Sequence, residues 1–80
     1  MRPETLLAYV RAAPFRPFRI VLNSGRAYDV RHQDLLQVGR DCFVLFYAAQ
    51  AGGPFDHWET ASLLLIDHIE HLDVPAAASA

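Results

Sequence analysis

Pro14-Phe15-Arg16-Pro17-Phe18-Arg19-Ile20-Val21-Leu22-Asn23-Ser24-Gly25 is the stretch on which the reading of this chain turns. Each proline removes a backbone donor and pushes the preceding residue towards extended geometry. A helix therefore cannot run through it, and the chain enters the next segment as an extended lead. From Phe18 the pattern alternates, with Phe18, Ile20 and Leu22 on one face and Arg19, Val21 and Asn23 on the other. Asn23-Ser24-Gly25 is a turn signal in which Gly25 is free to adopt positive φ. A second alternating run places Tyr28 and Val30 inward and Asp29 and Arg31 outward, so the segment predicts a β-hairpin.

Upstream, Met1 to Ala13 reads as a short helix. Pro3 sits where a first-turn proline is tolerated, and Glu4 favours the positive end of the helix dipole. Leu6, Leu7 and Val10 share one face, Arg11 falls in the last turn, and Pro14 ends the helix. Downstream, Arg31 to Asp34 is a polar bend, and Leu35-Leu36-Gln37-Val38 reads as a short strand. Gly39-Arg40-Asp41 is a tight turn, and Cys42 to Tyr47 is a strand apolar on both faces. One of those faces belongs to the core. The other calls for a cover from the N-terminal helix, the C-terminal segment or a neighbouring subunit. Ala48 to Asp56, with Gly52-Gly53-Pro54, reads as an irregular loop.

The segment after Trp58 supports two readings. Leu65, Ile69 and Leu72 have helical spacing, which predicts a C-terminal helix capped by Thr60 or Ser62. The alternative is two strands joined by a tight turn at Asp67-His68. Residues 1–75 are expected to form a single domain, with 76–80 as a frayed tail.

Composition narrows the function classes. A chain of 80 residues buries only about 60–65% of the surface its unfolded form exposes, while 52% of its residues are apolar. That surplus hints at self-association through an edge strand. Nine acidic residues against seven arginines, with no lysine, give a net charge of −2, which disfavours RNA as a partner. Cys42 is the only cysteine, so no disulfide framework or cysteine-rich metal site is expected, and a reducing compartment suits the chain. The apolar run at the N-terminus is too short for a signal peptide or a membrane span. A soluble, cytoplasmic protein is the expectation.

The chain from the short helix through the Pro-Phe-x-Pro-Phe-Arg-Ile-x-Leu-x-x-Gly-Arg pattern to Tyr28, Val30 and His32 resembles a family of small bacterial proteins. The likeness is clear over residues 1–46 and looser from Leu65 to Leu72. More distantly, the order of helix, strand, Asn-x-Gly turn and bent strands is similar to the Sm-like fold of the bacterial host-factor RNA chaperones. The resemblance implies a ring-forming habit, and it favours strand, turn, strand at the C-terminus. Ile66-Asp67-His68 stands where those chaperones carry an aromatic-lysine-histidine motif. His68 matches, but Asp67 replaces the phosphate-contacting lysine. The helix also lacks the glutamines that line the chaperones' uridine pocket.

Candidate chemistry is sparse. His68-x-x-His71 with Asp67, Glu70, Asp73 and the upstream Asp56-His57 has no recognised metal-ligand spacing, so surface histidines are expected and no metal or other cofactor. On a strand His68 and His71 point to opposite sides. Cys42 opens the most apolar strand, where a buried, inert thiol is expected rather than a nucleophile. Arg16, Arg19 and Arg31, with His68, are the candidate binding residues. With Phe15, Tyr28 or Trp58 the arginines have the makings of a base-stacking patch. Their ordinary use is pairing with Asp29, Asp34 and Asp41 across strands.

The fold predicted is a small, strongly bent antiparallel barrel of SH3-like or Sm-like type with an N-terminal helix across one end. An α+β domain with a C-terminal helix is the alternative. The function expected is a non-catalytic interaction or assembly module with a protein partner, which in one form is a homo-oligomer. An Sm-like RNA-binding ring is the second reading and a small metal-dependent enzyme a distant third.

Overall fold

A computed structural model describes residues 1–48 and 53–73. The loop residues 49–52, and Val74-Pro75 with the expected tail, lie outside the described residues. The chain is mainly β. Helix α1 (Pro3–Val10) is followed by strands β1 (Phe18–Leu22), β2 (Ala27–Val30), β3 (Leu36–Val38), β4 (Cys42–Tyr47), β5 (His57–Ser62) and β6 (Ile66–His71). They form two three-stranded antiparallel sheets, ordered β2-β1-β6 and β3-β4-β5. The chain passes from one sheet to the other twice, through 3-10 turns at Gln33–Leu35 and Leu63–Leu65.

The hairpin forms as its alternation requires. Phe18, Ile20 and Leu22 are buried and face Tyr28 and Val30, and Gly25 takes φ +92° in the turn. From the other sheet Leu36, Phe43 and Leu45 point into the same core, with the Tyr28 and Phe43 rings edge to face at 6.0 Å. Leu63 and Ile66, at the second crossover, complete it.

Helix α1 is shorter than expected, Pro3–Val10 instead of Met1 to Ala13, with Arg11 just past its end. A helix this short needs tertiary packing to persist. It obtains it by burying Leu6 completely and laying Tyr9 against Phe18 at 5.4 Å and His71 at 5.3 Å. The Pro-Phe-Arg doublet serves as the joint between helix and sheet. Phe15 packs on Phe18, and the Pro17 carbonyl accepts a hydrogen bond from Leu72 N–H.

Three expectations are corrected. The expected strand from Leu35 starts at Leu36, because Leu35 closes the first 3-10 turn. The C-terminal helix does not form: Leu65, Ile69 and Leu72 have helical spacing, but the segment is strand, 3-10 turn, strand. The break also lies elsewhere than Asp67-His68. It falls at Leu63–Leu65, where Ser62 Oγ accepts from Leu64 N–H, so Ser62 does cap a helical turn, of 3-10 type. Asp67 and His68 belong to β6. There Val21 opposes His68 and Leu22 opposes Ile66, leaving Asp67 as the extra residue of a bulge. A bulge adds local twist and bend, which lets β6 meet β1 directly after the crossover.

Candidate functional site

Each sheet turns one face to the core and one outward, and the two outer faces differ in kind. On β2-β1-β6 the outward positions are Arg19 and Val21 of β1, Asp29 of β2, and His68 and Glu70 of β6. They form a row of alternating charge. Arg31 Nη2 donates to Asp29 Oδ2 at 3.3 Å, and Arg19 donates to Asp29 from Nε at 2.7 Å and Nη2 at 3.4 Å. Arg19 opposes Glu70 across the sheet, and His68 lies 2.9 Å from Glu70 (Nε2 to Oε1) and 2.7 Å from Asp67 (Nδ1 to Oδ2).

The electrostatics reflect that row. The Arg19 guanidinium holds the Asp29 carboxyl below the usual range, and Asp29 raises Arg19. Hydrogen bonds to Glu70 first, then Asp67, raise the His68 imidazole above its ordinary value. Only the protonated ring makes both bonds as a donor.

Three of the four candidate binding residues, Arg19, Arg31 and His68, thus share one surface. Two guanidiniums there face three carboxylates, so the surface presents no excess of positive charge to a phosphate. Arg16 stands apart. Its Nε and Nη2 each donate to Asp73 at 3.0 Å, clasping the lead into β1 to the end of β6. This bidentate pair raises Arg16 and lowers Asp73. The arginine partners seen are Asp29, Asp73, Glu59 and, for Arg2, Glu4; of these only the cross-strand pairing with Asp29 was expected.

The outer face of β3-β4-β5 is the opposite case. Its positions are Gln37, then Cys42, Val44 and Phe46, then Trp58, Thr60 and Ser62. Phe46 opposes Trp58 and stacks on Phe55 at 6.0 Å, while 67% of Trp58 and 53% of Phe55 is exposed to solvent. None of these seven strand positions carries a formal charge. Cys42 lies on it half-buried, not in the core as expected, because its alternation partners Phe43 and Leu45 take the inward positions. The signal for this surface was a strand apolar on both sides; the sequence did not say which cover was missing. Of the aromatic residues considered for base stacking, Phe15 and Tyr28 pack into the core and only Trp58 is exposed. It lies on the sheet away from Arg19 and Arg31.

A third cluster spans the sheets at the start of β2. Tyr47 Oη donates to Glu59, Arg26 Nη2 donates to Glu59 at 2.9 Å, and the Arg26 guanidinium lies over the Tyr28 ring at 5.4 Å. Burial, together with the Glu59 carboxylate, pushes Tyr47 up to about 12. Tyr47 and Arg26 hold Glu59 below the usual carboxylate range. Both shifts lead away from neutral pH, which suits a latch and not a proton-transfer pair.

Nearby, His57 Nδ1 lies 2.6 Å from Asp56 Oδ1. His71 is half-buried beside Tyr9, while His68 is exposed, as expected for residues on opposite sides of a strand. Among the described residues no three of His, Cys, Asp or Glu are grouped to hold a metal ion, and no helix is long and apolar enough to cross a membrane. The chain matches no protein-family model, no curated protein and no solved structure.

Proposed function

We propose that this protein is a non-catalytic interaction and assembly module, built as a small open barrel of SH3-like or Sm-like type, whose docking surface is the outer face of β3-β4-β5. Two three-stranded sheets that exchange the chain through 3-10 turns, with a helix across one end, support the barrel reading. The observation that carries the functional reading is Trp58, two-thirds exposed beside Phe46 and Phe55 on a face without charge. Large aromatic side chains exposed on an uncharged patch are the usual anchors of protein interfaces. The single unpaired cysteine suits a reducing, cytoplasmic setting. The neutralised arginine row weighs against the RNA-binding alternative, whose affinity rests on unpaired positive charge.

The test is a photo-reactive phenylalanine derivative placed at Trp58, and separately at His68 on the opposite sheet, in the full chain inside cells. The reading expects covalent protein adducts from position 58 and few from position 68. Adducts at neither site, or equally at both, overturn it.

A further inference from the structure

We infer that the occupant of the β3-β4-β5 face is a second copy of this chain, packed face to face about a two-fold axis that lies in the interface and crosses the strands at Val44 and Thr60. The inference rests on the docking reading above and names the partner.

Two observations support self-pairing. The first is charge. The chain carries a net charge of −2, so two copies repel unless they meet where neither is charged. The strand positions of this face, from Gln37 to Ser62, meet that condition, whereas the charges of the row on β2-β1-β6 already have partners within the copy and would have to be desolvated. The charges lie only at the rim, with both signs at each end: Arg40 and Asp41 in the turn at one end of β4, and Asp56 with its neighbour His57 at the other.

The second observation is shape. Side-chain size falls steadily along the β4-β5 pairs, from Phe46 opposite Trp58, through Val44 opposite Thr60, to Cys42 opposite Ser62. Phe55 adds bulk at the large end. An axis through the middle pair lays the aromatic end of one copy on the small end of the other. A tapered face closes evenly on itself in that orientation, whereas aromatic end on aromatic end would hold the small ends apart.

The size of the face sets the affinity. Six paired residues give a length of roughly 20 Å and three strands a width of roughly 14 Å. The footprint is therefore about 280 Å² per copy and about 560 Å² in total, well under the standard interface size, where contacts are weak and transient. Association is expected towards the millimolar end of the concentration range.

Trp58 is the only tryptophan, so its emission reads this surface directly. The purified full chain is taken from about 1 µM to about 1 mM, spanning the transient range, and followed by sedimentation equilibrium and by fluorescence. The weight-average mass is expected to rise from 9.0 kDa towards twice that value, with a parallel blue shift of Trp58 emission. Thr60→Glu places two like charges across the axis and should weaken association by about 100-fold or more. Leu64→Glu changes an exposed side chain off the face and should leave it unchanged.

Three results overturn the inference: a chain that stays at 9.0 kDa throughout, a mass increase without an emission shift, or association abolished by Leu64→Glu and kept by Thr60→Glu. The dilution series needs no variant, so it decides the question even where Thr60→Glu misfolds. Adducts from position 58 with a different protein, combined with a monomer in solution, remove the second copy but keep the docking reading. No adducts at all remove both.

Discussion

The three consecutive leucines of the second crossover offer the sharpest test of the fold. Leu63 is 2% exposed, Leu64 82% and Leu65 48%, though the three are chemically identical neighbours. Truncating Leu63 to Ala removes buried methyl groups worth about 2 kcal/mol in transfer and leaves a cavity in the core, for a total near 3 kcal/mol. For Leu65→Ala about half the transfer term applies and no closed cavity forms, so about 1 kcal/mol is expected. Leu64→Ala should fall within about 0.5 kcal/mol of wild type.

An 80-residue domain has a stability of about 4–12 kcal/mol, so the first substitution consumes a large share of it. In thermal melts followed by far-ultraviolet circular dichroism, Leu63→Ala should lower Tm by about 12–24 °C and Leu65→Ala by about 4–8 °C. Leu64→Ala should scarcely move it. A C-terminal helix with Leu65, Ile69 and Leu72 on its inner face requires the reverse order. If Leu65→Ala proves as costly as Leu63→Ala, the crossover is misplaced and the topology with it.

The turn and the charged groups carry further expectations. Gly25→Ala should cost about 1–2 kcal/mol in urea unfolding, since φ +92° strains any side chain even though an added Cβ meets nothing within 4 Å. Wild-type stability after that change would show that the turn relaxes freely. His68 should titrate above its usual value by NMR, and Glu70→Gln should lower it. Because the folded value is raised, its contribution to stability is complete below the unfolded pKa of about 6.5 and is lost as pH rises through the folded value. A His68→Gln variant should lack that loss; identical pH profiles for the two proteins would count against the pairing. In an ultraviolet pH titration one tyrosine should ionise near 12, and Glu59→Gln should bring that step down. An unmoved step would mean that burial alone holds Tyr47.

How much of this was legible in the sequence depends on whether local pattern or tertiary context decides each element. The hairpin could be read because Phe18 to Val30 alternates on either side of a turn, and Asn23-Ser24-Gly25 leaves the chain one cheap way to reverse. Leu63-Leu64-Leu65 has no period, and neighbouring contacts alone decide which of the three is buried. The helix reading therefore competed on equal terms. Asp67 had the composition of a turn residue, but a bulge uses the same kind of residue while keeping the strand intact. Pairing of Arg19 with Asp29 was readable from cross-strand geometry, whereas Asp73 for Arg16 and Glu59 for Arg26 depend on how the sheets close, which spacing does not encode.

The candidate surface was half legible for a related reason. A strand apolar on both sides states that two surfaces must be covered, but in a two-sheet domain one core covers only one of them. Helix α1 was one of three possible covers, yet it buries Leu6 in the core and lays Tyr9 against Phe18 and His71. With the helix so placed, Val44 and Phe46 have no cover from it, and β5 adds Trp58 to the exposed side instead of a charge. The other sheet shows what a surface built only for solvent looks like in this chain: every outward charge in the row has an opposite neighbour, from Arg31 across to Asp67. The chain places a row of ion pairs on one outer face and uncovered aromatic rings on the other, and only the second gains by being removed from water.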